Sequence, residues 1–190
     1  GERTHGTTRT LLRRMIHLLL LRPLAKLLFG VYVRGRSHLS DREQFILIAN
    51  HNSHLDIILL FNLLTLDQLD RTHAVAERTY FARYKWLFRS VEFLYQPIWI
   101  ERGKATRGDD PFEEFKQLLD NGHNLIIFPE GTRGKPGDVV RFKSGIGRLV
   151  VQYKSIPIVP VYLKGPERVL PKSTPIILPL TNFVAIGPPQ

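Results

Sequence analysis

The chain has 190 residues, with 27 Lys and Arg against 17 Asp and Glu, for a net charge of +10. With 43% hydrophobic residues and no cysteine, it suits one domain with a sizeable core and an intracellular home; a disulfide framework, a thiol nucleophile and a multispanning membrane protein are excluded or disfavoured. The basic balance points to an anionic partner, and on charge alone both nucleic acid and an anionic membrane surface qualify.

From Thr10 to Gly30 the chain is Leu-rich, with Arg13, Arg14, Arg22 and Lys26 interspersed. On a helix, Leu11, Leu12, Met15, Ile16 and Leu19 share one face, while Arg13, Arg14 and His17 gather on another. That pattern predicts a helix lying in a membrane interface with its basic residues at the headgroups. The ordinary alternative is a helix that packs its apolar face on the domain core. No uncharged run approaches the roughly 18 to 20 apolar residues of a transmembrane span, and no small-residue cleavage site follows as in a secretory signal. Pro23 predicts an end or kink in the first helix and the start of a second. Residues 1–30 are therefore read as an amphipathic helix pair and residues 31–190 as one domain. The ends, Gly1 and Gly187-Pro188-Pro189-Gln190, leave room for a longer parent chain with other domains.

Val31–Val33 begins a strand, and a polar loop runs to Asp41. Phe45-Ile46-Leu47-Ile48-Ala49 is short and rich in branched residues, as in a buried strand, whereas Ile57-Ile58-Leu59-Leu60-Phe61 continues to Leu64 as a helix. Between them stands Asn50-His51-Asn52-Ser53-His54-Leu55-Asp56. This places His51 at a strand-to-helix corner and Asp56 in the first turn of the helix. A histidine held near a carboxylate there can act as general base on a hydroxyl, the carboxylate fixing its tautomer. Ser53 to Asp56 also has the spacing of a capping box, so a purely structural reading of Asp56 stands beside the chemical one. His51, His54 and Asp56 are three conceivable metal ligands. However, His-x-x-His is a weak zinc spacing and no compact second cluster of His or Cys appears, so no metal site and no cofactor is expected.

A loop over Thr65–Arg71 and a short strand near His73–Ala76 come next. A helix over Tyr80–Phe88 follows, carrying Tyr80, Phe81, Tyr84, Trp86 and Phe88. Ile98-Trp99-Ile100 reads as a strand and Arg102–Asp110 as a charged loop. Pro111 then opens an amphipathic helix with Phe112, Phe115, Leu118 and Leu119 that ends near Gly122. Asn124–Phe128 is another buried strand, and it runs into Pro129-Glu130-Gly131-Thr132-Arg133-Gly134. There Gly131 lets backbone approach a ligand, and Arg133 offers a planar fork for phosphate. The bland reading of Glu130 and Arg133 is a surface ion pair. Ser144 caps a predicted helix to Tyr153, Ile158–Leu163 is a strand, and the Pro-rich tail holds two strand-like runs, Ile176–Leu178 and Phe183–Ile186. Strands alternating with helices predict an α/β fold with a mostly parallel central sheet flanked by helices.

Asn50-His51 with Asp56, followed by Phe128-Pro129-Glu130-Gly131-Thr132-Arg133, resembles the paired signatures of the glycerolipid acyltransferase family. That group includes the 1-acylglycerol-3-phosphate acyltransferases. Ile98-Trp99-Ile100-Glu101-Arg102 resembles the family block ending in a phosphate-binding arginine, although Gln96 and Trp99 stand where that block usually has Gly and Phe. Ile156-Pro157-Ile158-Val159-Pro160-Val161 resembles the proline-centred block that ends the family core. The resemblance covers roughly residues 30 to 190.

What the resemblance implies is acyl transfer from acyl-CoA or acyl carrier protein to the free hydroxyl of 1-acylglycerol 3-phosphate. In that scheme His51 takes the hydroxyl proton and Asp56 orients the ring. Arg102 and Arg133, with Lys143, clamp the acceptor phosphate, and Glu130 positions the acceptor or Arg133. Gly131 and Thr132 complete the acceptor loop, with backbone N–H groups near Gly131 at the oxyanion. The aromatics of Tyr80–Phe88 have a core role and an acyl-tunnel role open to them. The implied setting is phospholipid biosynthesis at the cytoplasmic face of an anionic membrane. Glycerol 3-phosphate, another lysophospholipid or a non-glycerol hydroxyl are the alternative acceptors. A lipid-binding module without catalysis is disfavoured by the intact His51, Asp56, Glu130 and Arg133. Nucleic-acid binding is disfavoured because the basic residues are spread along the chain.

Overall fold

The structure is a computed structural model that describes residues 7–53, 55–100, 112–131, 147, 151–166 and 181–190. Its strands are β1 (Val31–Arg34), β2 (Ile46–Ala49), β3 (Thr72–Glu77), β4 (Ile98–Ile100), β5 (Asn124–Ile127), β6 (Ile158–Lys164) and β7 (Asn182–Ile186). They form one sheet in the order β1-β7-β6-β2-β5-β3-β4. Every neighbouring pair is parallel except β6–β7, which is antiparallel. The mixed α/β, mostly parallel architecture is the one the alternation predicts.

The helices are α1 (Thr7–Ile16), α2 (Arg22–Phe29), α3 (Ser37–Ser40), α4 (Leu55–Leu63), α5 (Leu66–Arg71), α6 (Arg78–Ala82), α7 (Lys85–Tyr95) and α8 (Glu113–Asp120). The central strands β2 and β5 are apolar apart from the buried Asn124, because helices cover both faces of the sheet. Successive β2 residues accordingly feed two cores. Leu47 and Ala49 pack with Phe61, Leu64 and Tyr95, whereas Ile46 packs with Leu125, Ile127, Phe115 and Leu119 from the α8 side.

Three predicted elements differ from those observed. The segment read as a loop over Thr65–Arg71 is mostly α5, held by a full capping box in which the Thr65 side chain accepts from Gln68 N and the Gln68 side chain accepts from Thr65 N. The single helix over Tyr80–Phe88 is two helices, broken at Arg83 and Tyr84, with Tyr84 in an extended conformation before α7. The polar loop to Asp41 contains the short α3. The Phe183–Ile186 run is β7, inserted between β1 and β6. The Arg102–Asp110 loop, the Ile176–Leu178 run and most of the helix expected from Ser144 lie outside the described residues.

At the amino end, α1 passes through a π-helical turn, His17–Leu21, into α2. Pro23 sits in the first turn of α2. A proline has no N–H and crowds the carbonyl four residues back, and the wider turn just before it relieves that crowding. The pair buries the opposite face from the one the domain-packing alternative requires. Arg13 and His17 are each 1% exposed, whereas Leu19 and Leu27 are 72% and 80% exposed. Leu11, Leu12, Met15, Leu18, Leu20 and Leu24 are exposed as well.

Arg13 donates to the Leu69 carbonyl at 3.1 Å and to Asp70 Oδ1 at 2.6 Å, and Arg14 pairs with Asp70 and Asp67. Arg22 donates to the Leu64 carbonyl. The expectation that these basic residues meet lipid headgroups is thus corrected for Arg13, Arg14 and Arg22, which hold the pair to α4 and α5. Burial against Phe61 and Tyr95 pushes His17 down to about 4, Arg13 and Arg22 adding to the shift while the Leu94 carbonyl and Asp70 oppose it. No helix among the described residues is long and apolar enough to cross a membrane.

Candidate active site

The chain leaves β2 at Ala49 and must turn out of the sheet to start α4. Asn50 makes the turn possible without wasting hydrogen bonds. Its side-chain amide donates to the Leu163 carbonyl at 2.9 Å and accepts from Leu163 N at 2.7 Å, as a strand residue's backbone would against β6. The backbone of Asn50 is then free to diverge, and His51 projects at the carboxyl end of the strands. This is where open α/β sheets place their ligands.

His51 is held on two sides. Its Nδ1 lies 2.9 Å from Asp56 Oδ2. An ionised carboxylate only accepts, so Nδ1 carries the proton and Nε2 keeps its lone pair. The ring face stacks on Phe128, centroid to centroid 4.2 Å at 25°. The side chain is 22% exposed, so the ring is fixed yet reachable.

Asp56 is fully buried in the first turn of α4, where the unpaired N–H groups and dipole of the helix favour a negative charge. Its Oδ2 also accepts from Asn52 N at 2.7 Å and Ser53 N at 2.8 Å. The capping role and the ring-orienting role anticipated for this residue therefore coincide on one oxygen. Oδ1 is buried with no partner among the described residues. No group of three or more potential metal ligands occurs among the described residues; His54 lies outside them.

Glu130 and Gly131 follow β5, the sheet neighbour of β2. Glu130 Oε1 lies 3.4 Å from His51 N, so it reaches the histidine loop from the neighbouring strand. Gly131 has a positive φ of 66° and donates its N–H to the Phe128 carbonyl at 3.0 Å, closing the turn that presents Glu130. That N–H already has an acceptor, so the oxyanion role anticipated near Gly131 is not assigned to it. Arg102, Thr132, Arg133 and Lys143 lie outside the described residues.

Beside this corner runs an open groove of about 430 Å³, lined by Ile48, Ala49, Asn50, Pro129, Glu130, Pro160, Val161, Tyr162, Ala185 and Gly187. Phe81, Tyr84, Trp86 and Phe88 are not among the described residues that line it. Phe81 and Phe88 flank Trp99 at 5.7 and 4.5 Å, and Tyr84 and Trp86 face outward. Two contributors escaped the sequence reading although both lie inside the quoted motifs. Asn50 acts through β6 and Phe128 through the adjacency of β2 and β5, and neither relation can be read from local spacing.

Known proteins are similar to this chain in sequence and fold. The chain is 31% identical over 157 residues to the 1-acyl-sn-glycerol-3-phosphate acyltransferase alpha of Mus musculus, covering 80% of this chain and 51% of that protein. It is 30% identical over 129 residues to a probable 1-acyl-sn-glycerol-3-phosphate acyltransferase of Mycoplasma pneumoniae, covering 65% and 46% respectively. The chain thus spans about half the length of these curated relatives. The crystal structure of the 1-acyl-sn-glycerophosphate acyltransferase PlsC from Thermotoga maritima superposes with a TM-score of 0.74 at 25% identity, covering 99% of this chain and 72% of that one. The family model described as Acyltransferase matches residues 30–164, the stretch that holds both signature loops, and the chain belongs to that family.

Proposed function

We propose that the protein transfers a fatty acyl group from a thioester donor, acyl-CoA or acyl carrier protein, to the free hydroxyl of 1-acylglycerol 3-phosphate. The observation that carries this reading is the His51–Asp56 pair at the carboxyl end of the sheet, with Nδ1 committed to the carboxylate. Nε2 of His51 takes the proton of the acceptor hydroxyl as its oxygen attacks the thioester carbonyl. Asp56 stabilises the imidazolium, and the tetrahedral intermediate expels the thiolate, which recovers the proton from His51. Glu130 steadies the histidine loop through His51 N. Arg102, Arg133 and Lys143, with Thr132, supply the phosphate contacts in this scheme. The apolar stretch of the groove, from Ile48, Pro160, Val161 and Ala185, suits a hydrocarbon chain.

The substrates are lipids, and the helix pair turns its leucines outward while its arginines face the domain. A helix pair with charge buried and apolar side chains exposed suits a hydrocarbon boundary better than water. The reading therefore includes attachment to one membrane surface through α1 and α2. A thiol-release assay in vesicles tests the reaction, offering lysophosphatidate, glycerol 3-phosphate or lysophosphatidylcholine with each donor in turn. Release that depends on lysophosphatidate, with product carrying both acyl chains, is expected. Equal release with all three acceptors would remove the phosphate-clamp assignment.

A further inference from the structure

The stretch 78–90, Arg-Thr-Tyr-Phe-Ala-Arg-Tyr-Lys-Trp-Leu-Phe-Arg-Ser, holds four cations, five aromatics and no carboxylate. It folds as α6 and the start of α7. Because β2, β3 and β5 are parallel, the chain leaves β3 into α6 at the same end of the sheet where it leaves β2 into His51 and β5 into Glu130. The α6–α7 corner is therefore part of the rim around the catalytic histidine. At this corner Trp86 is 71% and Tyr84 59% exposed, with Arg83, Lys85 and Arg89 exposed around them.

We propose that the α6–α7 corner is a second membrane contact, in which Trp86 and Tyr84 enter the interface of an anionic phospholipid bilayer while Arg83, Lys85 and Arg89 meet its headgroup phosphates. The proposal rests on the membrane attachment of the helix pair and extends it to the rim of the site.

Two observations choose this occupant. Exposed Trp and Tyr among cations match the composition of a membrane interface, where amphipathic rings sit at headgroup depth and each basic residue gains from anionic lipid. The corner is also continuous with the helix pair: Trp86 and Phe93 lie seven residues apart on one stripe of α7, and the Arg9 guanidinium of α1 sits over the Phe93 ring at 5.6 Å. Contact at both places would hold the site's rim against the leaflet that contains the acceptor.

The chain has two tryptophans, so Trp99→Phe leaves Trp86 as the sole tryptophan reporter. Trp99 Nε1 is buried with no partner among the described residues, which makes phenylalanine a mild replacement. Fluorescence of this variant is measured with phosphatidylglycerol–phosphatidylcholine vesicles brominated at shallow or deep acyl positions, and vesicle binding is scored separately by flotation. A blue shift with stronger quenching by shallow bromines is expected. Lys85→Gln with Arg89→Gln is expected to weaken partition about 10- to 30-fold on anionic vesicles. Flotation with Trp86 unshifted and unquenched would overturn the corner contact and leave the helix pair's attachment standing. Failure to float would overturn both. A blue shift that grows with protein concentration in the absence of lipid would replace the bilayer with a second copy of the chain.

Discussion

The corner after β2 and the helix pair at the amino end treat charge in opposite ways. At the corner, one fully buried carboxylate oxygen gathers two backbone N–H groups and an imidazole N–H, all from residues 51–53. Every partner of that oxygen is local, and the outcome is a ring with one nitrogen committed and the other left open. In the helix pair the buried charge is long-range. Arg13 reaches Asp70 across 57 residues, and the leucines that would ordinarily have filled that seam face outward. In the proposed reaction the first arrangement's hydrogen bonds orient a base. The second uses them to dock a helix while keeping its apolar face for something other than the domain.

Substitutions at five positions probe that contrast. Asp56→Asn leaves an oxygen that can accept from Asn52 and Ser53 but no anion for His51 Nδ1–H, so kcat is expected to fall roughly 10³- to 10⁴-fold in a protein that still folds. A loss under 10-fold would mean that Asp56 serves the helix cap alone. Asp70→Ala strands the buried Arg13 guanidinium and is expected to destabilise the fold by about 3 kcal/mol in denaturant titrations, with far less effect in Asp67→Ala, whose carboxylate is exposed.

His17 sharpens the same seam through pH. Its folded value of about 4 lies below its ordinary 6.5. Its neutral form thus costs nothing above about pH 6.5, and stability is lost as pH falls from there toward 4, because the unfolded chain gains a proton that the folded one refuses. The shift corresponds to a loss on the order of 3 kcal/mol. Thermal unfolding of the parent and of His17→Leu, followed from pH 8 to 4, should diverge in slope across that window; parallel curves would count against a neutral buried imidazole.

The smallest effect is expected at Phe128, whose ring lies under His51 and faces the positive charge when His51 holds the proton. Phe128→Leu should lower kcat by about 5- to 10-fold at unchanged KM, and Phe128→Tyr should restore it. Equal losses in both variants would reduce Phe128 to a packing residue.

Much of this was legible in the chain and some of it was not, for physical reasons. The buried strands around Leu47 and Ile126 announce themselves as branched apolar runs. His51 and Asp56 pair because five residues bridge a strand-to-helix corner. Helix α5 was readable too, since Thr65 and Gln68 have capping-box spacing, but its polar composition masked it. The contacts of His51 with Phe128 and Glu130 depend on β2 lying beside β5, and the Asn50–Leu163 pairing depends on β6 on the other side. Helical periodicity correctly separated leucines from arginines in α1, yet periodicity carries no information on which face is turned inward. That was decided by Asp67 and Asp70, which stand far along the chain on α5.

The central claim is that His51 is the base that activates the acceptor hydroxyl. Its most direct test is thiol release from acyl-CoA with lysophosphatidate in vesicles, comparing the parent with His51→Ala after both are shown to fold and float alike. The account predicts acceptor-dependent release in the parent and a fall of 10²-fold or more in the variant. Undiminished release from His51→Ala would contradict it.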